Sequence, residues 1–85
     1  MKEFKYVITD ALGLHARPAG MLVKAAAGYK CDVKLTANGT TVDAKRIMGV
    51  MRLAAKQGNE ITISCEGPDE DTAAEALETF VKQNL

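Results

Sequence analysis

Three stretches of the chain alternate between apolar and polar residues. Phe4, Tyr6 and Ile8 alternate with Lys5 and Thr9, Cys31, Val33 and Leu35 with Asp32, Lys34 and Thr36, and Ile61, Ile63 and Cys65 with Thr62, Ser64 and Glu66. A period of two marks a strand with one buried face. Asn38-Gly39 after the second stretch is a tight-hairpin signal, because both residues tolerate positive φ, so a short strand from Thr40 to Val42 should follow. Elsewhere the period is helical. Ala19, Leu22, Val23 and Ala26 recur on one stripe from Ala16 onward, Pro18 suits the first turn, and Gly28 suits the stop. Ile47, Val50, Met51 and Ala54 predict a short second helix ending near Gln57-Gly58. Gly67-Pro68-Asp69 breaks the last strand, and Ala73, Ala76, Leu77, Phe80 and Val81 line a third helix. Its acids Asp69, Glu70 and Asp71 stand at the positive end of the helix dipole. With no internal repeat or linker, residues 1–85 read as a single α+β domain of two layers, one sheet with helices on one face.

Composition narrows the function classes. The chain has 85 residues, 47% of them apolar, with 11 Lys plus Arg against 11 Asp plus Glu. Zero formal charge excludes a generally basic nucleic-acid binder and an acidic disordered tail. The balance is not local: residues 1–56 hold ten cations and four acids, residues 57–85 one cation and seven acids. This predicts a polarised surface. No apolar run approaches the roughly 18–20 residues that span a bilayer, so no membrane insertion is expected. The start MKEFKYV lacks an apolar signal core, which points to the cytoplasm, where Cys31 and Cys65 would be thiols. No aromatic stacking pair or basic stripe favours nucleic acid.

The one histidine, His15, stands where a loop becomes a helix, in Gly13-Leu14-His15-Ala16-Arg17-Pro18-Ala19. The first amides of a helix lack internal partners, and that end is positive. Ala16 and Arg17 can offer N–H groups, and Arg17 adds a forked cation suited to phosphate oxygens. Gly13 lets the backbone turn sharply and come close. Nearby positive charge favours the neutral, nucleophilic imidazole. These are the parts needed to take a phosphoryl group on nitrogen. A lone histidine here also suits a plain cap or a surface residue, and spacing alone does not separate these readings. A metal site lacks clustered ligands, and no cofactor is called for.

This segment resembles the phosphorylation-site signature of HPr, the histidine-containing phosphocarrier of the bacterial sugar phosphotransferase system. Asn38-Gly39, the run Ala44 to Met51, and Gln57-Gly58 with Ile61 to Ser64 extend the resemblance over nearly the whole chain. It implies an open-faced β-sandwich with an antiparallel sheet in the order 1-4-2-3 and three helices on one side. It implies that His15, through Nδ1, takes a phosphoryl group from enzyme I and donates it to the IIA component of a sugar permease. Arg17, with Ala16, would hold the phosphate. The protein would be a monomeric carrier, not a catalyst.

Arg46 departs from the family. Gram-positive members have a serine there, phosphorylated by a dedicated kinase, and arginine removes that control. The departure leaves room for a regulatory paralogue that binds a transcriptional regulator or metabolic enzyme and uses His15 as a signal. Arg46 provides no cap and puts a cation at a positive helix end, and Asp43 is placed to compensate from further back. With the resemblance, Met21, Ile47, Met48 and Met51, rimmed by Lys24, Arg46 and Arg52, read as a docking surface, although Ile47 suits the core equally. Methionine adapts to differently shaped partners. In the implied sheet Cys31 and Cys65 fall on neighbouring strands and one face, and read as buried thiols. The acids of the last helix read as a solvated face.

Overall fold

The computed structural model describes residues 1–85. Its elements are β1 (Lys2–Val7), α1 (Ala16–Ala27), β2 (Asp32–Ala37), β3 (Thr40–Asp43), α2 (Ile47–Arg52), β4 (Glu60–Glu66) and α3 (Glu70–Asn84). The four strands form one sheet in the order β1-β4-β2-β3, and all neighbours are antiparallel. Phe4, Ile63, Leu35 and Val42 form one cross-strand row, and Lys5, Thr62, Thr36 and Thr41 form the next. Because successive side chains alternate between faces, the first row faces the helices and the second faces water. Thr36 and Thr41 join their hydroxyls at 2.8 Å on the open face.

Leu22 of α1, Val50 of α2, and Leu77 and Val81 of α3 pack with Val33, Leu35, Ile61 and Ile63 of the sheet, all fully buried. Alanines at Ala19, Ala26 and Ala73 are buried without any exposure, which lets the helices approach the sheet closely. Phe4, Tyr6 and Phe80 are only partly covered and close the edge of the core. No buried side-chain nitrogen or oxygen lacks a hydrogen-bond partner.

The second helix is shorter than its apolar pattern predicts. It ends at Arg52, and Ala54 turns to φ +49°. Asn38, at φ +52°, donates from Nδ2 to the Leu53 carbonyl at 3.0 Å, tying the hairpin tip to the end of α2. A Cβ at positive φ costs about 1 kcal/mol, partly offset by the larger unfolded-state entropy of glycine. Ala54→Gly is therefore expected to raise stability by about 0.5 kcal/mol, visible as a higher Tm. An unchanged or lower Tm would count against strain at this residue.

Asp43 does not cap α2. Its Oδ1 accepts from the Lys45 amide at 2.9 Å, and Arg46, the N-cap residue, makes no side-chain capping bond. Asp43 thus supports the turn before the helix rather than the helix itself.

The acids at the start of α3 are more than a solvated face. Both Asp69 carboxylate oxygens accept backbone amides, from Lys30 and Cys31, each at 2.8 Å. Asp69 therefore pins the start of β2 to the start of α3. Glu70 accepts the Gly67 amide at 3.2 Å and pairs with the Met1 ammonium at 2.8 Å. The Lys30 amide holds the Asp69 carboxyl below its ordinary 3.8, and the Met1 ammonium holds Glu70 below its ordinary 4.5. Their contribution is present above those ordinary values and is lost as pH falls through the lower folded values. Wild type should thus lose stability in urea as pH falls below about 4.5. Asp69→Asn should be less stable at pH 7 and should depend less on pH in that acid window. Parallel pH profiles would contradict the clamp.

Cys31 and Cys65 are both buried as free thiols. Cys65 lies opposite Val33, two positions along from Cys31. Burial, then the Asp69 carboxylate, pushes the Cys31 thiol up to about 11. A thiol held protonated and covered packs as a small apolar group.

Candidate functional site at the start of the first helix

The loop from β1 to α1 is fixed by backbone hydrogen bonds. The Thr9 and Asp10 amides donate to the Leu85 carbonyl at 2.6 and 2.7 Å, which anchors the loop to the end of α3. Asp10 accepts the Gly13 amide at its carbonyl and the Leu12 amide at Oδ1, at 2.9 and 2.8 Å. Gly13 then turns at φ +67°. A Cβ there would lie 2.5 Å from the Ala55 carbonyl oxygen and 2.8 Å from the Lys56 Cα. The same Ala55 oxygen accepts the Leu14 amide at 2.9 Å, and Leu14 is buried. The segment after α2 is therefore the bed on which the loop rests.

This bed delivers His15 to the helix N-cap in extended conformation, φ −85° and ψ −178°. The His15 carbonyl takes the Ala19 amide at 3.0 Å, while its side chain makes no capping bond. The plain-cap reading of His15 thus has no support in the geometry. Ala16 and Arg17 donate to no protein group, and Pro18 has no N–H. Two open amides and the helix dipole face the region of a half-buried imidazole. Arg17 is exposed and enters no ion pair. A pocket of about 290 Å³ is lined by Asp10, His15, Arg17, Pro18, Met21 and Asn84. Such a pocket can hold a tetrahedral oxyanion between amides and guanidinium while an imidazole nitrogen meets its phosphorus.

The structure brings together the residues the sequence singled out at this end of α1, and adds two. Asp10 had read only as loop, and Asn84 stands nearly seventy residues from His15 with no local signal. The expected docking residues are also at the surface. Met21, Ile47, Met48 and Met51 are 42%, 40%, 70% and 39% exposed, on two helices that pack against each other. Ile47 therefore belongs to the surface, and Val50 alone in α2 is fully buried. Lys24, Arg46 and Arg52 are exposed around these residues. The Arg46 side chain touches only Asp43, loosely, at 3.8 Å. A groove runs between Val23 of α1 and Arg46, Ile47 and Met48. Leu12, in the loop before His15, is 73% exposed and carries no periodic signal in the sequence. No group of three or more His, Cys, Asp or Glu residues is placed to hold a metal ion. No helix is long and apolar enough to cross a membrane.

Comparison with known proteins converges on one family. The family model described as the PTS HPr component phosphorylation site matches residues 2–83. The phosphocarrier protein HPr of Mycoplasma capricolum is 44% identical over 77 residues, covering 91% of this chain and 86% of that protein. The solved structure of the Mycoplasma histidine-containing phosphocarrier protein superposes with a TM-score of 0.93 at 40% identity, covering 96% of this chain and 93% of that one. Crh, the Bacillus subtilis catabolite repression protein, solved as a swapped dimer, superposes with a TM-score of 0.77 at 39% identity, covering 100% and 98%.

Proposed function

Because the chain belongs to the HPr family of the sugar phosphotransferase system, we propose that it carries a phosphoryl group on His15 from enzyme I to IIA components of sugar permeases. The observation that carries this reading is the placement of an uncommitted imidazole beside two open helix amides and an unpaired Arg17. The neutral His15 attacks through the Nδ1 lone pair. A bond forms from that nitrogen to phosphorus, and the donor's P–N bond breaks, its electron pair staying with the donor histidine. The amides of Ala16 and Arg17 and the Arg17 guanidinium take the phosphoryl oxygens. Transfer between two imidazoles leaves the protein little covalent chemistry, so positioning and charge stabilisation carry the reaction. The onward step is the same displacement with IIA as nucleophile. The chain is thus a substrate of a relay rather than a catalyst, and it works in the cytoplasm as a monomer.

Met21, Ile47, Met48 and Met51 form the apolar centre of the docking face, and Lys24, Arg46 and Arg52 its cationic rim. Rim charges chiefly set encounter rates with acidic partners. Incubation with phosphoenolpyruvate and enzyme I should give an acid-labile, base-stable mass increase on the wild-type chain. No uptake from any cognate enzyme I would refute the carrier reading.

A second reading is a regulatory paralogue, favoured by Arg46 and by the likeness to Crh. It predicts uptake on His15 without onward transfer to IIA, and binding to a regulator or metabolic enzyme instead. Under either reading the serine-directed, ATP-dependent HPr kinase should leave the chain unlabelled, because an exposed arginine occupies the position. Stoichiometric labelling at another residue, detected by mass, would refute this.

A further inference from the structure

Of the six residues lining the His15 pocket, Arg17 and Asp10 carry fixed charge, with opposite signs. Asp10 is held by three bonds: its amide to Leu85, its carbonyl to Gly13 and its Oδ1 to Leu12. Its Oδ2 has no hydrogen-bond partner. We propose that Asp10 raises the phosphoryl-transfer potential of phosphorylated His15, so that the group is held but not trapped. This rests on His15 being the phosphoryl acceptor.

A carrier must give up its group as readily as it takes it. A pocket holding only the helix amides and Arg17 would favour the dianionic phosphoryl group without opposition, and deepen the phosphorylated state at the expense of onward transfer. Asp10 opposes this. Its carboxylate repels the phosphoryl oxygens while they remain on His15, and the repulsion is relieved as phosphorus moves to the acceptor. In that step the P–N bond to His15 breaks, its electron pair returns to the ring nitrogen, and the acceptor's nucleophile bonds to phosphorus. The Asx turn at Leu12 alone would be served equally by asparagine, which keeps the accepting oxygen. Asp10 is thus a positioning residue for the loop and a charge-tuning residue for the product.

Asp10→Asn separates the two roles, because it preserves the Leu12 acceptor and removes only the charge. The measurement is the equilibrium of phosphoryl exchange between this chain and enzyme I, at low salt and at 1 M salt, with Tm as a check on folding. Asp10→Asn should shift the low-salt equilibrium about fivefold toward the phosphorylated chain and slow onward transfer to IIA. High salt, with a Debye length of about 3 Å, should shrink the gap. Asp10→Glu, which keeps the charge but lengthens the side chain, should shift the equilibrium less than Asp10→Asn does. An Asp10→Asn equilibrium equal to wild type at low salt, or a shift unaffected by salt, would overturn the proposal. Wild type that takes up no phosphoryl group would instead overturn the carrier reading, and this inference with it.

Discussion

His15→Ala is expected to abolish phosphoryl uptake while leaving the fold intact. The loss is complete because the chain contains no other histidine, and no neighbouring group offers a nitrogen nucleophile to the same pocket. The fold survives because the imidazole makes no capping bond, and the helix start is held instead by the His15 carbonyl on the Ala19 amide. Removing a half-buried side chain that makes no hydrogen bond should cost within about 0.5 kcal/mol. Arg17→Ala should act differently. It removes one of three donors to the oxyanion, so uptake should persist but slow by about a hundredfold. The check is the acid-labile mass increase from phosphoenolpyruvate and enzyme I, read beside a thermal melt. Residual stoichiometric uptake by His15→Ala would place the phosphoryl group elsewhere.

Gly13→Ala should damage both the fold and the site. Its φ of +67° penalises any Cβ, and the added methyl would press to 2.5 Å on the Ala55 carbonyl. That oxygen is backbone, so it cannot swing away as a side chain would. Relief requires the loop and the segment after α2 to part, which breaks the Leu14 to Ala55 hydrogen bond. The left-handed penalty and the lost bond, with the overlap added, sum to about 3 kcal/mol. For a domain of this size that lowers Tm by roughly 10–20 °C. The surviving folded fraction should also transfer poorly, because a displacement of about 1 Å at the reacting nitrogen costs on the order of a hundredfold. Wild-type Tm and wild-type uptake in Gly13→Ala would mean that the bed under the loop does not position His15.

Alternation, helical spacing and the Asn38-Gly39 turn signal together predict all seven elements, because each period matches the face it buries and the turn sets the third strand beside the second. The end of α2 was overestimated. Ala54 continues the apolar stripe, but the tie from Asn38 to the Leu53 carbonyl and the turn at Ala54 stop the helix first. The acids at the start of α3 read as solvated because nothing local links Asp69 to Lys30 and Cys31, amides thirty-nine and thirty-eight residues away.

The site divides along the same line. His15, Ala16 and Arg17 were legible because a helix start is a local object, made by neighbours in sequence. Asp10, Asn84 and the Ala55 bed were not, since the pocket closes only when the end of α3 and the segment after α2 meet the loop. Periodicity likewise left Ile47 open, because a six-residue helix has too few turns to mark one buried stripe, and packing of α1 on α2 decided it. The sequence by itself thus determined the elements, the family likeness and the candidate nucleophile, all carried by short-range pattern. Only the tertiary structure decided what surrounds that nucleophile, because charge and shape in a pocket depend on residues that folding alone brings together.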